Sequence, residues 1–598
     1  MERIGRSSSS LGGKRPKGKS VTANAARNLR TAIGRFNLAW RIPISTMTFN
    51  AGGEDTLPLP YLSPRDVARF LLNKHPEVLC GGYSCKQRAD AKQLLSSFWM
   101  AYEREHPGHS IFTEVPRAEL CTVVPIMLYG DEGRGRRRGN TAVVSMECFF
   151  GFNSADCIQQ QKQACCSGCS CDPRTLNKFP GCSSQQLPAD DPMKFATLAL
   201  KEHCYLSRVP LFVVPCVQYK AHPNLIKWML EQIGNELQDL FHHGVDVSGE
   251  TFKVAVLGMK GDMKWFAAIG CLTRYHGKKG RKRSFHMCNE CLAGVASMPY
   301  EDMSFRPKWA RSLWAERPWD GELNPPPLLV VPFDQSAPER MYRRDVFHIT
   351  KQGVWRHFIG SVLVVLVQWR YFKVRGESNA APVQLQRAHS YFVMWCGAFR
   401  KIPALRSFTK ALLMWKSAWA YPWANVKGSD STLLMKWLAD WLPSMVREAR
   451  HHEHAEIFEI MCQTAKAGAE FMGDMYNHGA WLSRPCAMKM YESGDKFLTG
   501  YTLLAQRFLK MNFCAFNLIP KCHMMKHVLV DTMLALTHGD EYTLNPMTMG
   551  CEVNEDLIGK TCRLSRRLDT RTMQRRLLEL YLVKAKAVHK RAKARLYG

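Results

Sequence analysis

Three acidic residues stand where a chain can bring carboxylates to a shared point. The apolar run Val123 to Tyr129 closes on Gly130 and then Asp131, so a strand would carry that carboxylate at its tip. A second run, "TFKVAVLGMKGD", ends the same way on Asp262. In "NPMTMGCEVNEDLIGKTCRLSRRL", Asn554 can cap a helix that Glu555 opens. Converging at one edge of a sheet, the three would hold two divalent cations, Mg2+ or Mn2+, about 4 Å apart. Polynucleotidyl transfer needs that arrangement. Taken singly, each residue has a plainer explanation: a strand-end Asp forms turns, and a first-turn Glu suits a helix N-terminus. Asp131 is followed at once by Arg134, Arg136, Arg137 and Arg138, and Lys278, Lys279, Arg281, Lys282 and Arg283 form a second basic cluster. Both clusters could grip the phosphates on which such metals act.

Cysteine and histidine offer other chemistry. Cys288 and Cys291 have the spacing of two ligands to one tetrahedral Zn2+, and Cys271, His276 and His286 are near enough in sequence to complete the set. A second cluster, "CCSGCSC" from Cys165 to Cys171 with Cys157 and Cys182, is open to three readings: another metal site, a redox-labile loop or drift. His523 and His527 stand four apart on an expected helix and could share a face; a surface or core-edge role is the expectation for them. His451, His452 and His454 read as a solvated helix face.

The elements that would position these residues fall into blocks. Residues 1–24 read as a basic disordered tail and 25–118 as a helical N-terminal region. Residues 119–300 read as strand hairpin, strand, helix, strand and helix, an α/β unit with a mixed sheet. A Pro-rich linker covers 301–344. Residues 345–540 are dense in Trp, Met and Leu and read as an all-helical block. Residues 541–598 carry the Glu555 helix and a basic end. The chain of 598 residues allows roughly two to four structural units. Lys and Arg outnumber Asp and Glu by 82 to 52, and a net charge of +30 points to a polyanionic partner, nucleic acid before membrane. The most apolar stretch, Ile359 to Trp369, falls short of a bilayer span. The N-terminus lacks the apolar core of a secretory signal, so the chain's 22 cysteines are expected to be reduced.

Four stretches together carry a family likeness: "PIMLYGDE", "GDMKWFAAIGC" with its following "CNEC", "RRDVFHITKQGVWRHF", and "IPKCHMMKH" with "NEDLIGKTCRLSRR". Their order resembles cut-and-paste transposases with an RNase H-like catalytic domain, and within them the eukaryotic Plavaka and Kyakuja-Dileera-Zisupton (KDZ) type. The resemblance spans roughly Cys121 to the C-terminus. It implies an α/β, overall α+β, RNase H-like sheet interrupted by a large helical insertion. It also implies Asp131, Asp262 and Glu555 as the catalytic set, a two-metal DNA strand cleavage and transfer reaction, and a nuclear protein. Asp345 with His348 competes with Asp262 for the second position, and Glu552 and Asp556 compete with Glu555. DNA and a second copy of the chain are the partners this reading admits; a membrane is not. Two other readings stay open: a domesticated, inactive DNA-binding relative, and a zinc-dependent protein-interaction scaffold.

Overall fold

The computed structural model describes residues 21–52, 54–135, 139–154, 202–278, 286–319, 325–448, 453–538 and 541–596. Eight strands form one mixed sheet: β1 (Ser45–Gly52), β2 (Asp55–Tyr61), β3 (Val123–Arg134), β4 (Asn140–Cys148), β5 (Arg208–Pro215), β6 (Val245–Asp246), β7 (Thr251–Lys260) and β8 (Tyr342–Arg343). Their order across the sheet is β1-β2-β5-β4-β3-β7-β6, with β8 also paired to β7. β3, β4 and β5 are joined antiparallel, whereas β7 runs parallel to β3 and β8 parallel to β7.

The centre of this sheet is buried on both faces. Every residue of β5 is inaccessible, and so are the first eight of β3. That is the reason these strands read as continuous apolar runs rather than alternating ones. The amphipathic helix Leu225–His243 packs against β7, while Glu552–Ser565 lies on β3 and Met573–Leu596 on β5.

The N-terminal region is not wholly helical as expected. Helices Val21–Arg35, Pro64–Lys74 and Arg88–Glu105 are present, but the β1–β2 hairpin stands between the first two and joins the sheet where Tyr61 meets Phe212. Thr46, Thr48 and Phe49 are β-formers, and Gly52 supplies the positive φ of 110° at the turn. Ser63 precedes the second helix without capping it; its hydroxyl donates to Glu236 Oε2 at 2.5 Å instead.

Immediately after β8 the chain enters a block of helices: Trp355–Gln368, Ala381–Ala398, Gly428–Glu448, Ala455–Tyr476, Arg484–Lys510 and Pro520–Thr537. A short ribbon of β9 (Trp481–Ser483) and β10 (Tyr542–Leu544) closes it. The buried side chains form two clusters, one around the sheet and one within the helical block. Met287, Cys288, Cys291, Tyr300 and Met303 belong to the second. The stretch from Met287 to Met303 is therefore packed with the helical block, whereas Trp265, Phe266 and Ile269, directly after β7, stay with the sheet.

Candidate functional site

The site is built at the carboxyl ends of three neighbouring parallel strands. Tyr129 of β3 lies opposite Lys260 of β7, and Lys260 lies opposite Arg343 of β8. Asp131, Asp262 and Asp345 each stand two residues beyond one of these paired positions. Asp262 starts the helix Met263–Ile269, and its Oδ1 accepts the Trp265 amide at 2.7 Å. Asp345 is buried: it accepts the Phe347 amide at 2.9 Å and is also held by His348 Nδ1 and the Cys551 thiol.

Glu555 reaches the same point from the helix Glu552–Ser565. The buried Tyr129 hydroxyl donates to Glu555 Oε1 at 3.0 Å and lies 3.4 Å from Asp131 Oδ2. His348 Nε2 stands 3.7 Å from Glu555 Oε1. One ligand atom each from Asp131, His348 and Glu555 falls within 4.8 Å of the others. Tyr129 and Asp131 are two apart on a strand, so they present the same face to this helix.

Glycines on both sides of Asp131 allow two helices to come this close. A Cβ on Gly133 would stand 2.4 Å from Ile558 Cγ2 and 2.5 Å from Cys562 Sγ, both on the Glu555 helix. One on Gly130 would stand 2.4 Å from the Trp265 indole, on the helix that Asp262 starts. The stretch "YGDEG" is thus sparse in side chains where the backbone is approached.

Charge is poorly balanced here. Burial, followed by the neighbouring charges of Asp262 and Glu555, pushes the Asp131 carboxyl up to about 8. Burial works against the His348 imidazolium, but Asp345 and then Glu555 outweigh it and raise His348 to about 9. Near neutral pH the metal-free site accordingly keeps a proton on Asp131 and a positive charge on His348. A set of hard oxygen donors that repel one another suits a divalent cation such as Mg2+ or Mn2+.

Beneath the carboxylates lies a buried ionic cluster. Glu147 on β4 meets Arg208 Nε at 2.7 Å, pairs with Lys260 Nζ and accepts from Asn554 Nδ2 at 2.7 Å. Lys260 also donates to the Gly550 carbonyl at 3.2 Å. Asn554 precedes Glu555, so this cluster ties the glutamate helix to β4, β5 and β7. It does so with Asn554 inside the helix; the expected N-cap role falls instead to Cys551, which makes no side-chain cap bond.

Other nominated residues lie elsewhere. Glu552 pairs with Lys351 at 2.6 Å and accepts from the Tyr476 hydroxyl; Asp556 pairs with Lys560 at 2.6 Å. Glu132 turns to Lys264 at 3.2 Å and Asn140 at 2.9 Å. Arg134 is exposed at the end of β3. Arg136, Arg137, Arg138, Lys279, Arg281, Lys282 and Arg283 lie outside the described residues, as do the side chain of Lys278 and the Cys157–Cys182 cluster. Beside the carboxylates is a cavity of about 200 Å³ whose lining includes Asp262, Lys264, His276, Asp345, His348 and Lys521.

A second constellation is a Cys2His2 group. Cys288 and Cys291 do converge on a metal-ligand geometry, but their partners are His523 and His527, not Cys271, His276 or His286. Cys288 Sγ lies 3.4 Å from His527 Nε2, and Cys291 Sγ lies 3.4 Å from His523 Nε2 and 3.5 Å from His527 Nε2. The edges of a tetrahedral Zn2+ site with these ligands run about 3.5 Å between sulfur and nitrogen. All four residues are buried, and Trp309 packs on both imidazoles with ring centroids 4.3 and 4.5 Å away. His286 instead contacts the Leu292 carbonyl through Nδ1 at 3.1 Å. The expectation of a surface or core-edge role for His523 and His527 is thus corrected: on the helix Pro520–Thr537 they are fully buried and face the loop that carries the cysteines. A group of this kind can bind a metal such as zinc, and it joins the segment after β7 to the last helix of the helical block.

Tyr129, Cys551, Lys260 and Glu147 were not among the residues singled out from sequence. A Tyr two residues before a strand-end Asp is a signal that could have marked the first. Family models and curated proteins compared with the chain gave no match. Among the described residues no helix is long and apolar enough to cross a membrane.

Proposed function

We propose that the chain is a transposase-like, RNase H-like polynucleotidyl transferase that cuts and joins DNA strands in the nucleus. One observation carries the reading: Asp131 at the end of β3 and Glu555 from a helix laid across that strand come together with His348, while Asp262, two residues past the end of the adjacent parallel strand β7, stands outside that group but near enough for its charge to act on Asp131. The strand order β5-β4-β3-β7-β8, with the first three antiparallel and the last two parallel to β3, also supports it.

Asp131, Asp262 and Glu555 are the residues that would hold Mg2+ or Mn2+. Bound there, such ions activate an attacking oxygen and stabilise the leaving one at a phosphodiester. Tyr129 fixes the Glu555 carboxylate. Asp345, held by three partners, orients His348, whose positive charge balances the carboxylates until cations load. Lys264, Lys521 and Arg134 would meet phosphate oxygens.

The test is Mn2+-dependent nicking of supercoiled DNA by purified protein. Asp131→Asn and Asp262→Asn should each abolish nicking while DNA binding is kept or tightened, because negative charge facing the phosphate is removed. Asp345→Asn should weaken nicking and alter its pH profile. Wild-type protein that binds DNA but never nicks it would leave the fold as a binding module.

A further inference from the structure

Far from the carboxylates, a third group of ligand atoms converges between the N-terminal region and the final helix. His75 follows the helix Pro64–Lys74, Glu77 sits in the turn Pro76–Val78, and His589 comes from Met573–Leu596. His589 Nε2 lies 2.8 Å from Glu77 Oε1, and His75 Nδ1 lies 3.8 Å from the same oxygen. One ligand atom from each residue falls within 4.8 Å of the others. The side chains of Glu77 and His589 are 1% and 4% exposed.

Glu77 Oε1 is met by His589 Nε2 and Lys593 Nζ, but Glu77 Oε2 and His75 Nδ1 are buried with no hydrogen-bond partner. The Trp40 indole N–H is in the same state, and its ring packs 5.7 Å from both imidazoles. Buried donors and acceptors are nearly always paired, so several orphans in one place call for a missing partner. The two imidazole rings stand at 64° with centroids 4.4 Å apart, edge to face rather than stacked. We propose that His75, Glu77 and His589 form a zinc site that clips the final helix to the N-terminal region. Two imidazoles and a carboxylate are a common zinc donor set, with water in the fourth position.

One contact opposes the idea. Lys593 Nζ lies 2.5 Å from Glu77 Oε1, one helical turn beyond His589. Its side chain is 38% exposed, against 1% for Glu77, so it can swing into water when a cation takes the carboxylate. Lys593 is then a competitor for the site. The proposal is independent of the DNA-processing reading.

The experiment is metal content of the full chain after equilibration with Zn2+ and gel filtration. Wild type should hold one zinc ion more than the His589→Gln variant and one more than the Cys288→Ser/Cys291→Ser variant. With Co2+ in place of Zn2+, His589→Gln should keep the thiolate charge-transfer band and lose part of the d–d absorption. Lys593→Met removes the competitor without touching a ligand, so it should bind the second zinc several-fold more tightly; it serves also if His589→Gln fails to fold. A wild-type content unchanged by His589→Gln, or a Lys593→Met variant with no gain in affinity and a lower melting temperature, would overturn the proposal and make Glu77 an ion-pair anchor for Lys593.

Discussion

Asp131 and His348 both carry raised pKa values, and the consequences share one sign. Asp131 is protonated in the folded, metal-free protein up to about 8, against an ordinary value near 4 in the unfolded chain. Its stabilising share is full below the unfolded value and is lost as pH rises toward 8. For His348 the share is full below its ordinary value and is lost as pH rises through about 9. In EDTA the melting temperature should therefore fall between pH 7 and 9.5. Asp131→Asn should flatten that fall and be more stable than wild type at the alkaline end. Mn2+ binding should tighten with pH over the same window, because it releases the Asp131 proton; a metal affinity constant from pH 6.5 to 9 would contradict the proposed ligand. At this scale the acidic residues were readable, since a polar residue ending an apolar run stands out. Tyr129 and Cys551 were not, because an apolar-looking Tyr in a strand and a lone Cys before a helix look like core until their neighbours are known.

Between elements, the Glu147 cluster is the tie that sets the glutamate helix on the sheet. Two cations, Arg208 and Lys260, share one buried carboxylate, and Lys260 spreads its remaining charge over the Gly550 carbonyl. Glu147→Ala would leave both cations without their carboxylate in a dry interior, a loss of about 3–5 kcal/mol. Denaturant titration should show that loss, and nicking should fall further than stability alone explains because Glu555 loses its support. Glu147→Gln, which keeps the Asn554 contact, should recover part of the nicking. The alternating strands and helices of residues 119–300 were visible in apolar runs and turn residues. The β1–β2 hairpin was missed because its strands sit at the sheet edge, half exposed, and lack the continuous apolar run that marked the central ones. The His523 and His527 ligands were misjudged for a different reason. Their spacing of four was seen, but the cysteines they face lie on a loop on the far side of the helical block in sequence, and spacing cannot report a contact that long.

Two packed cores make up the described molecule, and the Cys2His2 group lies in the second. Zinc held there would link the chain just after β7 to the last helix of the block, so its binding energy would be folding energy for that block. A strong chelator, or Cys288→Ser, should lower the melting temperature and open protease sites within residues 345–540 before those in the sheet. Protein that melts identically with and without chelator would rule this out. The route of the chain has a further effect on when the site exists. Asp131, Asp262 and Asp345 leave the ribosome before the helical block, and Glu555 only after it. The Cys551 thiol touches Asp345, so the block departs from and returns to the same spot. Closing a loop of that length costs little more than closing a short one, since the entropy grows only as the logarithm of length. The cost is in time: contacts between distant segments form slowly. A nascent chain that has not yet passed the helical block holds two or three of the acidic groups and lacks Glu555, so a DNA-cutting activity at this site would be withheld until that block has been made.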